Sequence, residues 1–342
     1  MHSRTTGKRR PLITAVALSL AIAVTCFGSP AVASTAVSLD EIPSGVAVAN
    51  SGLAVVGLAD AKRGIVVDTN GATTSVDVQC SVSDVEVDPA GSRGWSICSD
   101  STYLGISRLA TGEVSSMDTG VANAFDIEFS DPAKLLVVLG GGGQLGIISV
   151  RTDDDYALRS VSIGETAAGL TLSTNGRQAF VSTDSGKLVI VDTRNGRFRK
   201  VPIRLQGYQS VFPSSLAMHP SGRFLFASGY AIRKGSSTFS AVILTLNPVN
   251  GRTISSTTIA VDSTTIDLAA SSNTLYVGLG LSVGLATGPT GLLRFSVNQR
   301  GQLGTPRALI TNSVMVSEME LSANQRQLAV ATTNSELLRI GT

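Results

Sequence analysis

The sequence predicts an all-β fold, a seven-bladed β-propeller of four-stranded antiparallel blades occupying residues 34–342. Three observations predict it. A unit of about 40 residues recurs along the chain, each copy holding four short apolar stretches separated by turn residues. The apolar alternation has period two, and long stretches of helical periodicity are absent. The last unit stops one strand short, while an unclaimed strand stands at the other end of the repeat array.

Residues 1–33 read as a cleaved signal peptide. Arg4, Lys8, Arg9 and Arg10 form a basic start, Leu12 to Phe27 is almost wholly apolar, and Ala31-Val32-Ala33 is the small-x-small pattern that a signal peptidase cuts after. The apolar run is shorter than the roughly 20 residues of a membrane span. The expected mature chain begins at Ser34, has no membrane span, and is secreted or held in the cell envelope. The whole chain has 27 Lys+Arg and 25 Asp+Glu; four of the basic residues belong to the leader, which leaves 23 against 25, a net charge of −2. A phosphate-binding electrostatic footprint is missing from that balance, so nucleic acid is not an expected partner.

The units open in order at Val46-Ala47-Val48, Val85-Glu86-Val87, Ile127-Glu128-Phe129, Leu170-Thr171-Leu172, Leu216-Ala217-Met218, Ile266-Asp267-Leu268 and Met319-Glu320-Leu321. Turns follow several of these strands, as in Asp88-Pro89-Ala90-Gly91, Asn175-Gly176 and His219-Pro220-Ser221-Gly222. Asn70-Gly71, Asn195-Gly196 and Asn250-Gly251 mark hairpins between third and fourth strands. After Leu337-Leu338-Arg339-Ile340 the seventh unit has three strands. Thr35-Ala36-Val37-Ser38-Leu39 alternates like the other fourth strands and is expected to complete that blade, closing the ring.

The fourth unit, Leu172-Ser173-Thr174-Asn175-Gly176-Arg177-Gln178-Ala179-Phe180-Val181-Ser182-Thr183 ending in Leu188-Val189-Ile190-Val191-Asp192, resembles the YVTN-type, WD40-like repeat. That repeat builds bacterial seven-bladed propellers, among them surface-layer and lactonase-like proteins. The resemblance covers nearly all of residues 34–342 and implies the fold; propellers serve as enzymes, binders and scaffolds alike.

In a propeller the first strand of each blade lines the central axis. Seven of the 25 carboxylates fall on these strands: Asp84 and Glu86, Asp126 and Glu128, Asp267, and Glu318 and Glu320. The i, i+2 spacing keeps each pair on one side of its strand. Such a ring either takes a cation, calcium being the divalent candidate, or forms a wet polar channel whose carboxylates meet backbone N–H groups and water. Three long connections, Gln206–Ser214, Ser228–Ser240 and Gly278–Gly291, are expected on one face of adjacent blades, called the top. They carry Tyr208, Phe212, Tyr230, Arg233 and Lys234, residue types that anchor partners. Cys80 and Cys98 both fall at the top and are expected to form a disulfide. Arg194, Arg197, Arg199, Lys200 and Arg204 lie on a hairpin and an outer strand, and Asp153-Asp154-Asp155 reads as a solvated turn.

The mature chain has one histidine, His219, in a bottom turn. Lactonase-like relatives place Arg, His and Glu at the top of the channel, and this sequence has no matching histidine there. Zinc or haem constellations are also missing. The expected function is that of an exported, non-catalytic, monomeric propeller binding a protein, a cell-surface partner or a small ligand through its top loops and acidic channel. The alternative is a lactonase- or hydrolase-like enzyme using channel carboxylates.

Overall fold

The computed structural model describes residues 34–151, 155–237, 239–259, 263–281, 291–311 and 314–342. The expected signal peptide, Asp153 and Asp154, and most of the Gly278–Gly291 connection lie outside the described residues.

Every regular element among the described residues is a β-strand, and the strands form seven four-stranded sheets. Six sheets run in chain order from inner to outer strand. The inner strands are Pro43–Val48, Val82–Val87, Ala124–Ser130, Ala167–Leu172, Tyr208–Met218, Ser263–Ala270 and Val316–Leu321, opening blades one to seven. The seventh sheet takes its outer strand from the other end: Ser34–Ser38 pairs antiparallel with Glu336–Gly341, Ser34 opposite Ile340 and Ser38 opposite Glu336. The predicted closure is the observed one.

The burial pattern explains why the repeat reads as it does. Second strands such as Leu135–Gly140 are buried along their whole length, because a blade is covered on both faces by its neighbours. Outer strands such as Glu113–Asp118 are mostly exposed, and their Ser and Thr follow from that. Apolar side chains gather into seven clusters, one at each interface between successive blades. The cluster between blades seven and one joins Ala329, Ala331 and Leu337 to Val46, Val56 and Ile65. The largest buried side chain, Trp95 of blade two, stacks on Phe129 of blade three at 4.7 Å between ring centroids.

Polar bonds run from bottom turn to bottom turn. The His219 ring, through Nε2, meets the Ser272 carbonyl at 3.1 Å, joining blade five to six. Ser272 N–H donates to Gln325 Oε1 at 2.8 Å, joining six to seven. Asn324 N–H donates to Asn50 Oδ1 at 2.7 Å, joining seven to one, and Asn50 N–H donates to the Pro89 carbonyl at 3.0 Å, joining one to two. Arg339 is 8% exposed, and its guanidinium donates to the Gly52 and Asp68 carbonyls across the seam between blades seven and one.

Candidate functional site: the acidic channel and the blade-five crest

All seven inner strands carry a β-bulge at the same level, where one residue is added against the second strand. The first residue after each bulge faces its second-strand partner in equivalent register. These residues are Gly45, Asp84, Asp126, Gly169, Ser215, Asp267 and Glu318, which form an upper tier around the axis. Two residues further along, Ala47, Glu86, Glu128, Thr171, Ala217, Ala269 and Glu320 form a lower tier. The seven carboxylates predicted from sequence therefore do converge, as four in the upper tier and three in the lower.

Two cavities follow the axis. The upper one, about 270 Å³, opens at the top and is lined by all seven carboxylates. The lower one, about 280 Å³, reaches the bottom turns. Glu86, Glu128 and Glu320 line both and form the waist between them.

The upper-tier aspartates bond from blade to blade. Asp84 accepts the Val85 N–H at 2.7 Å on one oxygen and the Ile127 N–H of blade three at 3.0 Å on the other. Asp126 accepts the Leu170 N–H of blade four at 2.7 Å. Asp267 accepts from Leu268 N–H at 2.7 Å, Met319 N–H of blade seven at 2.8 Å and Ser215 Oγ of blade five at 3.1 Å. Bulge serines do the same with their hydroxyls. Ser44 donates to the Val82 carbonyl at 2.6 Å, and Ser83 to the Ala124 carbonyl at 2.6 Å. All of these bonds except that from Ser215 engage a backbone N–H or carbonyl of the inner strands. Where the upper tier has glycine, the neighbours crowd in. A Cβ on Gly45 would lie 2.7 Å from the Asp84 Cα, and one on Gly169 would lie 2.3 Å from the Ser214 carbonyl oxygen.

Burial and mutual repulsion set the charge state. Asp84 is 5% exposed, and the other six carboxylates are half-buried against the channel space. Burial pushes Asp267 up to about 6, Asp84 to about 7 and Glu320 to about 8. Burial, with the neighbouring carboxylates, holds Glu86, Asp126, Glu128 and Glu318 well above the ordinary range. The Glu318 and Asp84 carboxyls face each other, and two carboxyls can bond only by sharing a proton. The channel thus keeps protons near neutral pH. Among the described residues, the one group of three or more His, Cys, Asp or Glu ligand atoms within 4.8 Å of one another is Cys80, Cys98 and Asp100, away from the channel. The carboxylates are spread over two tiers.

Cys80 and Cys98 are bonded, their Cα atoms 5.9 Å apart, at the top of the crossover from blade one to two. The histidine stays at the bottom. His219 is 7% exposed, its Nδ1 is bonded to Ser221 Oγ at 2.8 Å, and burial lowers its affinity for a proton. With Nδ1 bonded within its own turn and Nε2 to the next blade's turn, it is not placed as a base for channel chemistry.

The top of blade five corrects the sequence reading in one respect. Gln206–Ser214 and Ser228–Ser240 were expected to be loops. Tyr208–Met218 is instead a strand of 11 residues, Leu225–Arg233 one of 9 and Phe239–Leu246 one of 8, longer than most strands of other blades. The three continue upward as a twisted crest, with Tyr208 opposite Arg233, Phe212 opposite Tyr230, and Phe239 opposite Ile232. Antiparallel register puts Phe212, Tyr230, Ile232 and Phe239 on one face. Phe212 is 36% and Phe239 56% exposed, and the Tyr230 and Phe239 rings meet edge to face at 6.3 Å. Val211 and Ala231, on the other face, pack into the cluster with blade four. Arg233 and Lys234 are exposed at the tip, and Lys234 N–H bonds the Gly207 carbonyl at 3.0 Å. The five residues singled out from sequence all lie on the crest, Phe212 and Tyr230 on its aromatic face and Tyr208 packed on the side of blade four, and the channel carboxylates are separate from it.

No protein-family model matches this chain, and no curated protein matches it. Among solved structures, a chain in a crystal structure described as the mitotic checkpoint complex superposes with a TM-score of 0.72, covering 100% of this chain and 99% of that one at 14% identity. A likeness at that identity establishes the architecture alone: the chain has the seven-bladed, WD40-like propeller fold, without a demonstrated place among the bacterial YVTN-type repeats.

Proposed function

We propose that this protein is an exported, non-catalytic propeller scaffold that binds a protein partner through the crest of blade five. The observation that carries the reading is the strip formed by exposed Phe212 and Phe239 with half-buried Tyr230 and Ile232 on a three-stranded extension, with Arg233 and Lys234 at its tip. Aromatic side chains fixed on strands lose little freedom on binding, and Arg beside them supplies directional bonds. No acidic residue occurs in 206–214 or 228–240, so the fitting partner presents an apolar surface rimmed by carboxylates. The paired cysteines and the leader-like first 33 residues support export. The channel, in this reading, is a structural and proton-holding element.

The test is affinity capture with the mature chain, comparing wild type with Tyr230→Ala/Phe239→Ala and with Arg233→Ala/Lys234→Ala. A protein retained by wild type and lost by both variants, at unchanged melting temperature, supports the crest as the interface. Equal recovery by all three forms removes it.

A further inference from the structure

The outer rim between blades four and six has a second, differently built surface. Outer strand Phe198–Pro202 of blade four and outer strand Thr253–Thr258 of blade five flank a groove of about 500 Å³, lined by Arg204 and Arg252 among neutral residues. On the far side of Thr253–Thr258 a second groove of about 460 Å³ follows, bordered by Ser296, Asn298 and Gln302 of blade six. The two share Ser255 and Ser256, so they form one track crossing the outer edge of blade five.

Its charge differs from that of the rest of the molecule. Neither groove has an Asp or Glu in its lining. Residues 194–204 add Arg194, Arg197, Arg199, Lys200 and Arg204 without an acidic residue, in a mature chain of net charge −2. Some of these cations are already used: Lys200 pairs with Glu165 at 2.7 Å, and the Arg199 guanidinium donates to the Val249 carbonyl. Arg194, Arg197, Arg204 and Arg252 are exposed, and none of the four forms an ion pair among the described residues. A planar guanidinium presents paired donors that match a carboxylate.

We infer that this track binds a carboxylate-bearing polysaccharide. Arg204 and Arg252 supply the sites for sugar acids, and the exposed Ser256 and Ser296 hydroxyls and Gln206 amide supply donors and acceptors for sugar hydroxyls, while Thr253, Ser255 and Asn298 are already bonded within the protein. A linear polymer suits a surface that continues from one groove into the next. Single-stranded nucleic acid fits less well, because neither groove is lined by an aromatic side chain on which bases would stack. This site lies on the rim, apart from the crest proposed as the protein interface, so the two stand or fall separately.

The experiment measures binding of the mature protein to immobilised polygalacturonate, with neutral dextran, polyglutamate and a single-stranded DNA oligonucleotide as comparison surfaces. Wild type is expected to bind polygalacturonate more tightly than any of the three and to be released as salt shortens the range of the charges. Arg204→Ala/Arg252→Ala is expected to weaken binding at least about tenfold at unchanged melting temperature, about 1.4 kcal/mol or more. Lack of binding to polygalacturonate, binding unaffected in the double variant, or equal or tighter binding to polyglutamate or DNA would each overturn the inference. The crest variant Tyr230→Ala/Phe239→Ala should bind polygalacturonate like wild type.

Discussion

The Asp267 carboxylate accepts the Met319 backbone N–H at 2.8 Å, a bond that ties blade six to blade seven at the wall of the channel. The same carboxylate holds Leu268 N–H and the Ser215 hydroxyl, so one side chain links three blades.

Removing that acceptor should therefore be costly. Asp267→Ala leaves buried donors without partners, at about 1–3 kcal/mol for each donor stranded. Asp267→Asn keeps one oxygen and should lose clearly less. Urea denaturation of both variants at pH 7 checks this; equal, small losses would mean that the blade-to-blade bond contributes nothing to stability.

Stability should fall as pH rises from 5 to 8.5. In the folded protein Asp267, Asp84 and Glu320 hold protons up to about 6, 7 and 8, whereas in the unfolded chain they release them near 4. The folded state binds more protons across that window, so the stabilisation present at low pH is lost as pH passes through the folded values. Glu165, held down to about 2 by Lys187 and Lys200, has the opposite sign and loses its contribution only below that window. Glu320→Gln should match wild type at pH 5 and melt a few degrees higher, about 3–6 °C, at pH 8.5. Parallel pH profiles for the two proteins would disprove the assignment.

Gly169 should not tolerate a side chain. A Cβ there would lie 2.3 Å from the Ser214 carbonyl oxygen, a backbone atom of the next blade. Gly169→Ala should destabilise by about 2–3 kcal/mol, the usual cost of forcing atoms into a packed interface. Gly142→Ala, with nothing within 4 Å of the new methyl, should stay within about 0.5 kcal/mol of wild type. The paired melts distinguish steric crowding between blades from a general intolerance of substitution.

Reduction of the Cys80–Cys98 bond should lower the melting temperature without unfolding the ring. Its closed loop, with a sequence separation of 18, corresponds to roughly 3 kcal/mol in the chain-entropy model. Cys80→Ser/Cys98→Ser should melt about 5 °C or more below wild type and be insensitive to reductant. A wild-type melt unmoved by reductant would mean that the bond adds nothing to the fold.

The ring was legible in the sequence because each blade repeats one burial pattern. Val85-Glu86-Val87 and Met319-Glu320-Leu321 show the same apolar-polar-apolar alternation, and Thr35–Leu39 shows the alternation of a fourth strand, one residue out of register with the observed Ser34–Ser38. The crest was not legible. A proline ordinarily argues against a strand interior, yet Pro213 sits opposite Gly229 beside a bulge, where the missing donor is tolerated. The channel was half legible. Spacing placed Asp84, Asp126 and Asp267 on the axis, but their bonds run to Ile127, Leu170 and Met319 of the next blade, and only the three-dimensional neighbourhood shows that. The bulge serines Ser44 and Ser83 were missed for the same reason: one extra residue in an inner strand leaves no mark in the alternation of the strand beside it.

The strand that closes the ring also gives the molecule a direction. Ser34 lies opposite Ile340, and Thr342 N–H bonds the Arg326 carbonyl in the bottom turn of blade seven. Both described ends of the chain thus leave side by side from the bottom, opposite the crest of blade five. Phe212, Tyr230 and Phe239 therefore stand at the end of the molecule away from Ser34 and Thr342. A load applied to both ends would peel the Ser34–Ser38 ladder apart one bond at a time from Ser34, without shearing it, so the closing strand is the mechanical latch of the ring.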